Sequence, residues 1–234
     1  MLFEYTYETR YGDFKTPETI KPAVILDMVQ DIATKHSDKC GYGIFVMEDL
    51  KQAWLLQGIK AHFDQPVATN TPVTIKTAVK SMKGTTSPRC SYIMQGGQVV
   101  AKTIANWFLM DIEKQKPCRI PQEMGNAYDF HDFDEDFFSY KKTAVMEAPI
   151  CYEVRIGNKE IDTNMHLNNQ KSAELLMDAL PFDYFFTDMN VFYKQSAYLG
   201  DVLEVCMTEI EHGYYVHLQT KDGEVCVAGT FESL

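Results

Sequence analysis

Three polar residues that can hold or move a proton lie at alternate positions of one short segment, IDTNMHLNN, residues 161–169. They are Asp162, Asn164 and His166. In an extended chain, alternate side chains point to the same side. On a helix, only the carboxylate and the imidazole would share a face. Because Asp, Thr and Asn are poor helix formers, we predict an extended segment that presents all three groups together, as in a reaction site. The alternative is a polar loop that ends in a helix cap.

Other groups that could do chemistry give weaker signals. Asp162 and His166 lack a third ligand at a suitable spacing, so we predict no metal and no cofactor. The six cysteines form no C-x-x-C pair, and we expect free thiols. His36 lies on the apolar face of a predicted helix and is expected in the core. The remaining histidines, including His62, have no partner at a suitable spacing.

Composition limits the classes of protein to consider. The chain has 234 residues and a formal net charge of -11, and 45% of its residues are hydrophobic. That length fits one large domain or two of ordinary size. The negative charge argues against nucleic acid as the main partner. No signal peptide or apolar span of about 18 residues is present, so we expect no membrane span and a cytoplasmic location.

The first half of the chain has one strong helical pattern followed by strand patterns. Apolar residues recur every three or four positions from Ile25 to His36, between Pro22 at the start and Gly41 at the stop. AWLLQGIKAHF and VTIKTAVKSM are typical of strands, and the next run predicts a hairpin that turns at Gly96–Gly97.

A change of character then separates two similar halves. Residues 116–149 hold three prolines and the run DFHDFDEDFFSY, without helical or strand periodicity, and we predict a linker across the surface. Beyond it, a strand, a helix capped by Asn168 or Asn169, further strands and a hairpin at Asp222–Gly223 follow. We therefore predict an internal duplication, with units 1–115 and 150–234. Each unit would be an α+β layer pair, a helix against a curled antiparallel sheet.

The predicted duplication bears on the polar trio. Alignment of Gly12 with Gly157 places Pro17, Thr19 and Lys21 opposite Asp162, Asn164 and His166. The first unit thus has the helix and lacks the trio. A purely structural trio would be expected in both copies, so its absence from the first favours a functional site confined to the second unit.

The motif IDTNMHLNN resembles the D-x-N-x-H-x-N-N motif of the acyl-acyl carrier protein thioesterases. Further stretches of the chain are similar to that family in the same order and spacing: AWLLQGIKAHFDQPV, ANWFLMDIEKQKPCRIP and YKQSAYLGDVLEV. The resemblance implies a tandem double hot-dog fold, in which each unit is a long helix wrapped by an antiparallel β-sheet. It also implies hydrolysis of fatty acyl thioesters on acyl carrier protein, which ends chain elongation in fatty acid biosynthesis.

By position, the resemblance gives Asp162, Asn164 and His166 the catalytic places. Thioester hydrolysis needs an activated water or a carboxylate nucleophile, and donors to the developing oxyanion. Asp162 can act as general base or attack directly, and the sequence leaves both open. Asn164 can donate to the carbonyl, and His166 can donate or shuttle a proton. Asn168 is assigned to capping or positioning, and the helix start after Asn169 is a second candidate for oxyanion stabilisation.

The sequence departs from the family at one place. Before the late Gly-Asp turn, the family carries Glu followed by Cys or a small residue, where this chain has Ser196 and Ala197. Ser196 is therefore a candidate positioning residue on the late strand. Its neighbour Gln195 would replace the Glu only by a slip of register, which would turn every side chain on that strand to the other face.

Two other functions stay open: a non-catalytic acyl-binding protein, which this departure motivates, and a hot-dog enzyme that acts on acyl-CoA as a thioesterase or a dehydratase. The expected partner is acyl carrier protein bearing a fatty acyl chain, and the sequence leaves a homodimer open. Because that carrier is acidic, its contacts are expected on a basic cluster, for which a solvated strand edge is the alternative. The cluster comprises Lys76, Lys80, Lys83 and Arg89.

Overall fold

The structure is a computed structural model that describes residues 2–133, 136–142 and 144–233. The chain divides into two compact units. The first comprises Met1–Gln57 and Asp64–Tyr140, and the second comprises Gly58–Phe63 and Lys141–Leu234. Among the described residues, no helix is long and apolar enough to cross a membrane.

The first unit combines helices with an antiparallel sheet. Its helices are α1 (Pro22–Lys39), α2 (Ile44–Asp49) and α3 (Gln122–Asn126). Its strands are β1 (Phe3–Tyr7), residues 52–57 of β2 (Gln52–Phe63), β3 (Val73–Val79), β4 (Thr86–Gln95), β5 (Gln98–Asp111) and β6 (Lys116–Pro117). The strand order is β1-β3-β4-β5-β2, with β6 paired to β5.

The apolar stripe of α1 explains where this helix packs. Ile25 and Ile32 are fully buried, and the helix contacts β1 and β3. Pro22 occupies the first turn, where its missing N–H costs no hydrogen bond. Gly41 follows the helix with φ +80°, a left-handed conformation that suits glycine. The predicted helix and its boundaries are confirmed.

The predicted hairpin at Gly96–Gly97 is also confirmed. Both glycines have positive φ, +57° and +83°, as a two-residue type I′ turn requires. Strands β4 and β5 pair antiparallel on either side of it, from Gln95 opposite Gln98 to Thr86 opposite Phe108.

The second unit has one long helix and the rest of the strands. Its elements are β7 (Ile150–Arg155), α4 (Asn169–Asp178), β8 (Asp188–Tyr193), β9 (Val202–Ile210), β10 (Gly213–Thr220) and β11 (Val225–Glu232). Residues 58–62 of β2 pair with β8, and the order continues β11-β10-β9-β7. Helix α4 contacts β10 and β11 and buries Ala173 and Leu176. The hairpin at Asp222–Gly223 forms as predicted, and Gly223 has φ +81°.

The prediction that residues 116–149 lack regular structure is wrong in part. Besides β6 and α3, a short 3-10 turn forms at Asp136–Phe138. The cause is burial, because the apolar side chains of this stretch have sheet surface to cover. Phe133 and Phe138 pack on Ala78, Cys90 and Ile104 of the first unit. Residues 134 and 135 of the acidic aromatic run lie outside the described residues.

Lys141, Met146 and Pro149 each form a hydrogen bond with the sheet of the second unit. The carbonyl of Lys141 accepts from the Asn190 side chain at 2.9 Å on β8. The Met146 N–H donates to the Tyr215 hydroxyl at 3.1 Å on β10. The Pro149 carbonyl accepts from the Met207 N–H at 3.1 Å on β9. These three residues therefore contact three strands of that sheet, β8, β10 and β9.

Candidate active site

The segment with the polar trio is a tight hairpin loop, so the prediction of an extended segment is wrong. The Asp162 N–H donates to the His166 carbonyl at 2.9 Å, and the Met165 N–H donates to the Asp162 carbonyl at 3.1 Å. Ile161 and Leu167 pair antiparallel across its base. Met165 has φ +63°. A turn closed by a left-handed residue is a common three-residue hairpin loop.

The Asp162 carboxylate is what bends this segment. Its Oδ1 accepts the backbone N–H groups of Asn164, at 2.8 Å, and His166, at 3.2 Å. Such side-chain-to-backbone bonds offer the chain an alternative to an extended ladder. Within the described part of the chain, Oδ2 has no hydrogen-bond partner. One carboxylate oxygen is therefore fixed by the loop, and the other is available to a reactant.

The other two members of the trio are less enclosed. Asn164 lies at the tip of the loop and is exposed. His166 is half-buried, and its ring centroid lies 5.1 Å from that of Tyr198, with the planes at 71°. Among the described residues, neither ring nitrogen of His166 has a hydrogen-bond partner. Asp162 and His166 lie opposite each other at the base of the loop, whereas Asn164 is separated from them at its tip.

Asn168 caps helix α4, as predicted. Its Oδ1 accepts the N–H groups of Gln170, at 2.8 Å, and Lys171, at 3.3 Å. These are two of the N–H groups that a helix start leaves without a helical partner. Because the cap occupies both, they are not free to stabilise an oxyanion. The side chains of Asn164 and His166, which have no hydrogen-bond partner among the described residues, are other donors in the motif.

Ser196 and Ala197 lie beside the motif but not on a strand. Strand β8 ends at Tyr193, so the prediction of a late strand that continues to Ser196 is wrong. The N–H groups of Lys194 and Gln195 both donate to the Cys226 carbonyl, at 2.8 and 3.2 Å, which takes the chain out of regular pairing. The Ala197 carbonyl then accepts from the Leu167 N–H at 2.8 Å, and the backbone of Tyr198 pairs antiparallel with that of His166. Ser196 is exposed and Ala197 is buried.

The backbone hydrogen bonds of the motif loop, which precedes α4, recur in the first unit in the loop that precedes α1. Each of these residues lies 147 positions before its counterpart. There the Lys15 N–H donates to the Thr19 carbonyl at 2.8 Å, as the Asp162 N–H donates to the His166 carbonyl. The Lys21 N–H donates to the Asp13 carbonyl at 2.9 Å, as the Asn168 N–H donates to the Glu160 carbonyl. The pairing of Ile20 with Phe14 likewise matches that of Leu167 with Ile161.

The predicted alignment of Gly12 with Gly157 is therefore wrong by two residues. By hydrogen bonding, Gly157 corresponds to Arg10, because each N–H donates to the carboxylate three residues ahead, at 2.9 and 2.8 Å. Lys15, Pro17 and Thr19 thus occupy the positions of the trio. In that loop the N–H groups of Glu18 and Thr19 donate to the Thr16 hydroxyl, whereas in the second unit the acceptor is the Asp162 carboxylate. The first unit still lacks the trio.

The predicted basic cluster is not a free surface. Arg89 is buried, and its Nη1 donates to Nδ1 of His36 at 2.8 Å, which contradicts its assignment to the surface. Lys76 lies 3.0 Å from the Glu4 carboxylate. Lys80 donates to the carbonyls of Phe133 and Phe138, at 3.4 and 3.1 Å. Of the four residues, Lys83 is exposed.

The buried pair fixes the state of His36. Because an arginine nitrogen can only donate, Nδ1 of His36 must accept and is unprotonated. Burial, and then the positive charge of Arg89, lower the pKa of His36 to about 4. Burial lowers the pKa of Arg89 to about 10. The prediction that His36 is a core residue is confirmed.

His62 has a partner that its spacing did not reveal. Its Nδ1 lies 2.9 Å from Oδ1 of Asp188, because β2 and β8 place these two residues opposite each other in the second unit. All six cysteines are free thiols, as expected. In the part of the chain that the structure describes, no three His, Cys, Asp or Glu residues are grouped so that they could hold a metal ion.

Comparison with protein families assigns the chain to a class. A family model of the acyl-ACP thioesterase N-terminal domain matches residues 1–128, and one of the C-terminal domain matches residues 143–230. These two domains make up the acyl-ACP thioesterases, which are thiolester hydrolases that act on fatty acyl-acyl carrier protein. The chain belongs to the acyl-ACP thioesterase family, and fatty acyl-acyl carrier protein hydrolysis is its function. A comparison with curated protein sequences finds no match.

Solved structures share the fold along almost the whole chain. An acyl-ACP thioesterase from Bacteroides thetaiotaomicron VPI-5482 matches with a TM-score of 0.90 at 16% identity, over 99% of this chain and 97% of that one. A 12:0-ACP thioesterase from Umbellularia californica matches with a TM-score of 0.86 at 14% identity, over 99% and 96%. At these identities the likeness establishes the fold.

Proposed function

We propose that this thioesterase carries out hydrolysis at the loop from Asp162 to His166, in the second unit. The supporting observation is the Asp162 carboxylate, whose Oδ1 is held by two backbone N–H groups while Oδ2 has no partner among the described residues. A fixed carboxylate with one open oxygen is pre-organised to activate a water or to attack a carbonyl.

The reaction adds water across the thioester. In the base mechanism, Oδ2 of Asp162 accepts a proton from water as the oxygen attacks the acyl carbon. The resulting oxyanion collapses and breaks the carbon–sulfur bond, and the carrier thiolate takes up a proton to become the thiol. In the nucleophilic mechanism, Oδ2 attacks the acyl carbon and displaces the carrier thiolate, which takes up a proton. Water then hydrolyses the acyl anhydride to the fatty acid and the free Asp162 carboxylate. Both give one fatty acid and one carrier thiol.

Asn164 and His166 supply the remaining groups in this proposal. The Asn164 amide can donate to the oxyanion from the exposed tip of the loop. His166 can donate a hydrogen bond or return a proton to the leaving sulfur. Asn168 is a positioning residue, since its cap fixes the start of α4 directly after the loop.

We also propose that the units are two hot-dog folds in tandem, 1–115 and 150–234, joined by the linker 116–149. The repeated hydrogen bonds of the two loops support this duplication, and α1 and α4 each pack on an antiparallel sheet. Only the second copy carries the trio, so it is assigned the chemistry and the first copy an architectural role. A cytoplasmic location, a role in lipid metabolism and a homodimer complete the proposal.

Release of free thiol from acyl carrier protein and CoA thioesters of several chain lengths tests this function. Wild-type protein should release thiol from acyl carrier protein substrates, and Asp162→Asn should release it at least about 10²-fold more slowly. Preference for the CoA esters would instead support a hot-dog acyl-CoA enzyme. Tight acyl binding without thiol release would support a non-catalytic acyl-binding protein, the alternative that Ser196 raises.

A further inference from the structure

The orientation of the His166 imidazole depends on an unusual contact. Catalytic imidazoles are commonly held by a hydrogen bond from one ring nitrogen to a carboxylate or carbonyl oxygen. Within the described residues, His166 has no such partner at either nitrogen. Its ring contacts the Tyr198 ring, with centroids 5.1 Å apart and planes at 71°. This edge-to-face arrangement is the favoured geometry of two aromatic rings.

The backbone of Tyr198 is held in place independently of its side chain. Its N–H donates to Oδ2 of Asp201 at 2.8 Å, and its carbonyl accepts from the Asp201 N–H at 3.1 Å. The next glycine, Gly200, has φ +92° and donates to the Ile156 carbonyl at 2.9 Å. Tyr198 also pairs with His166 through the backbone. Replacement of the Tyr198 side chain therefore leaves the turn that carries it intact.

The exposure of Tyr198 argues against a role in the core. The residue is 52% exposed, so burial contributes less to stability than it would for a core tyrosine. Its hydroxyl has no hydrogen-bond partner in the described part of the chain. The ring contact with His166 is thus the specific interaction of this side chain.

Ser196 explains why such a contact would be needed. It lies two residues before Tyr198 on the segment that runs beside the motif, and it carries a hydroxyl instead of a carboxylate. It is exposed and makes no hydrogen bond to His166. A serine cannot hold an imidazole by charge, whereas Tyr198, on the same segment, contacts the ring with its side chain.

We propose that Tyr198 is a positioning residue that orients His166 through its aromatic ring. The proposal rests on the proposed function of His166. The aromatic ring of Tyr198 positions the imidazole, and the hydroxyl does not. A phenylalanine at this position therefore preserves the function, and a leucine does not. Loss of the ring lets the imidazole populate rotamers that point away from the loop, which lowers kcat and leaves KM nearly unchanged.

A double-mutant cycle tests the proposal on acyl carrier protein thioester hydrolysis. Tyr198→Leu should lower kcat about tenfold, and Tyr198→Phe should keep at least half of it. In a His166→Ala background, Tyr198→Leu should cause no further loss, because a group that acts through His166 has nothing left to orient. Leu199→Ala, a change at a neighbour of similar exposure, is the matched control and should leave kcat unchanged.

Nuclear magnetic resonance of the His166 ring protons gives a readout that does not depend on activity. Tyr198→Leu should shift these resonances by removing the ring current, whereas Leu199→Ala should not. Wild-type turnover by Tyr198→Leu, or equal losses in the leucine and phenylalanine variants, would overturn the role of Tyr198 alone. Wild-type turnover by His166→Ala would instead overturn the proposed site, while the resonance shifts would still report the ring contact.

Discussion

The backbone N–H of Leu167 donates to the carbonyl oxygen of Ala197 at 2.8 Å. This bond ties the loop that carries the polar trio to the segment that carries Ser196, two parts of the chain about 30 residues apart. The first unit has the same bond, from Ile20 to Val67, also at 2.8 Å. The bond therefore belongs to the repeated architecture, and the side chains around it differ between the two copies.

Asp162 has a structural role that can be separated from its proposed catalytic role. Asp162→Ala removes the acceptor of two N–H groups and should lower the free energy of unfolding by about 1–2 kcal/mol. Asp162→Asn keeps an acceptor oxygen and should cost less than about 1 kcal/mol. Urea unfolding of both variants checks this. Equal stability of the alanine and asparagine variants would contradict the assigned role of Oδ1.

Met165 is held in a conformation that favours glycine. Its φ is +63°, and its side chain is exposed, so it contributes little burial in return. Met165→Gly should be more stable than Met165→Ala by up to about 1 kcal/mol, since only glycine adopts this region without strain. Thermal unfolding of the two variants measures the difference. A more stable alanine variant would show that the loop is not left-handed at this residue.

The His36–Arg89 pair predicts how stability depends on pH. The pKa of His36 is lowered to about 4 in the folded chain, against about 6.5 unfolded. Between those values the unfolded state binds the extra proton, so stability falls as pH falls, by up to about 1.4 kcal/mol per pH unit. Above pH 7 the contribution is complete.

His36→Gln is the matched variant, because its side-chain oxygen can still accept from Arg89. The stability advantage of wild type over this variant should shrink as the pH falls from 6.5 to 4, when both are measured by urea unfolding. A constant difference over that range would mean that His36 titrates normally and that the buried pair does not form.

Ser196 provides a test of the position at which the chain departs from its family. Ser196→Glu adds a negative charge beside the motif, and should move the acid limb of the pH–rate profile to higher pH. Ser196→Ala, the neutral control, should lower kcat by at most about tenfold. Profiles that superimpose for wild type and both variants would place residue 196 outside the site.

Local signals in the sequence predicted much of the fold. Pro22 and Gly41 bound α1, Gly96–Gly97 forces a type I′ turn, and Asn168 caps α4, because each of these effects acts within a few residues. The motif itself singled out the loop from Asp162 to His166. These features need no knowledge of the tertiary fold.

The errors arise where side chains meet partners that the sequence does not reveal. Alternation predicted an extended trio, but Asp162 accepts N–H groups from its own loop. The charge of Arg89 predicts a surface position. The sequence does not reveal that its Nη1 lies 2.8 Å from Nδ1 of His36 on α1. The sequence does not reveal the contact between Tyr198 and His166, since it depends on the pairing of two distant segments.

Rates of thiol release by wild type, Asp162→Asn and His166→Ala on one long-chain acyl-acyl carrier protein test the central claim most directly. The account predicts hydrolysis by wild type, and losses of about 10²-fold or more in both variants, with little change in their folding. Asn168→Ala, which removes the α4 cap but no reacting group, reports the cost of disturbing the structure alone. Hydrolysis by Asp162→Asn at nearly the wild-type rate would contradict the claim that this loop is the active site.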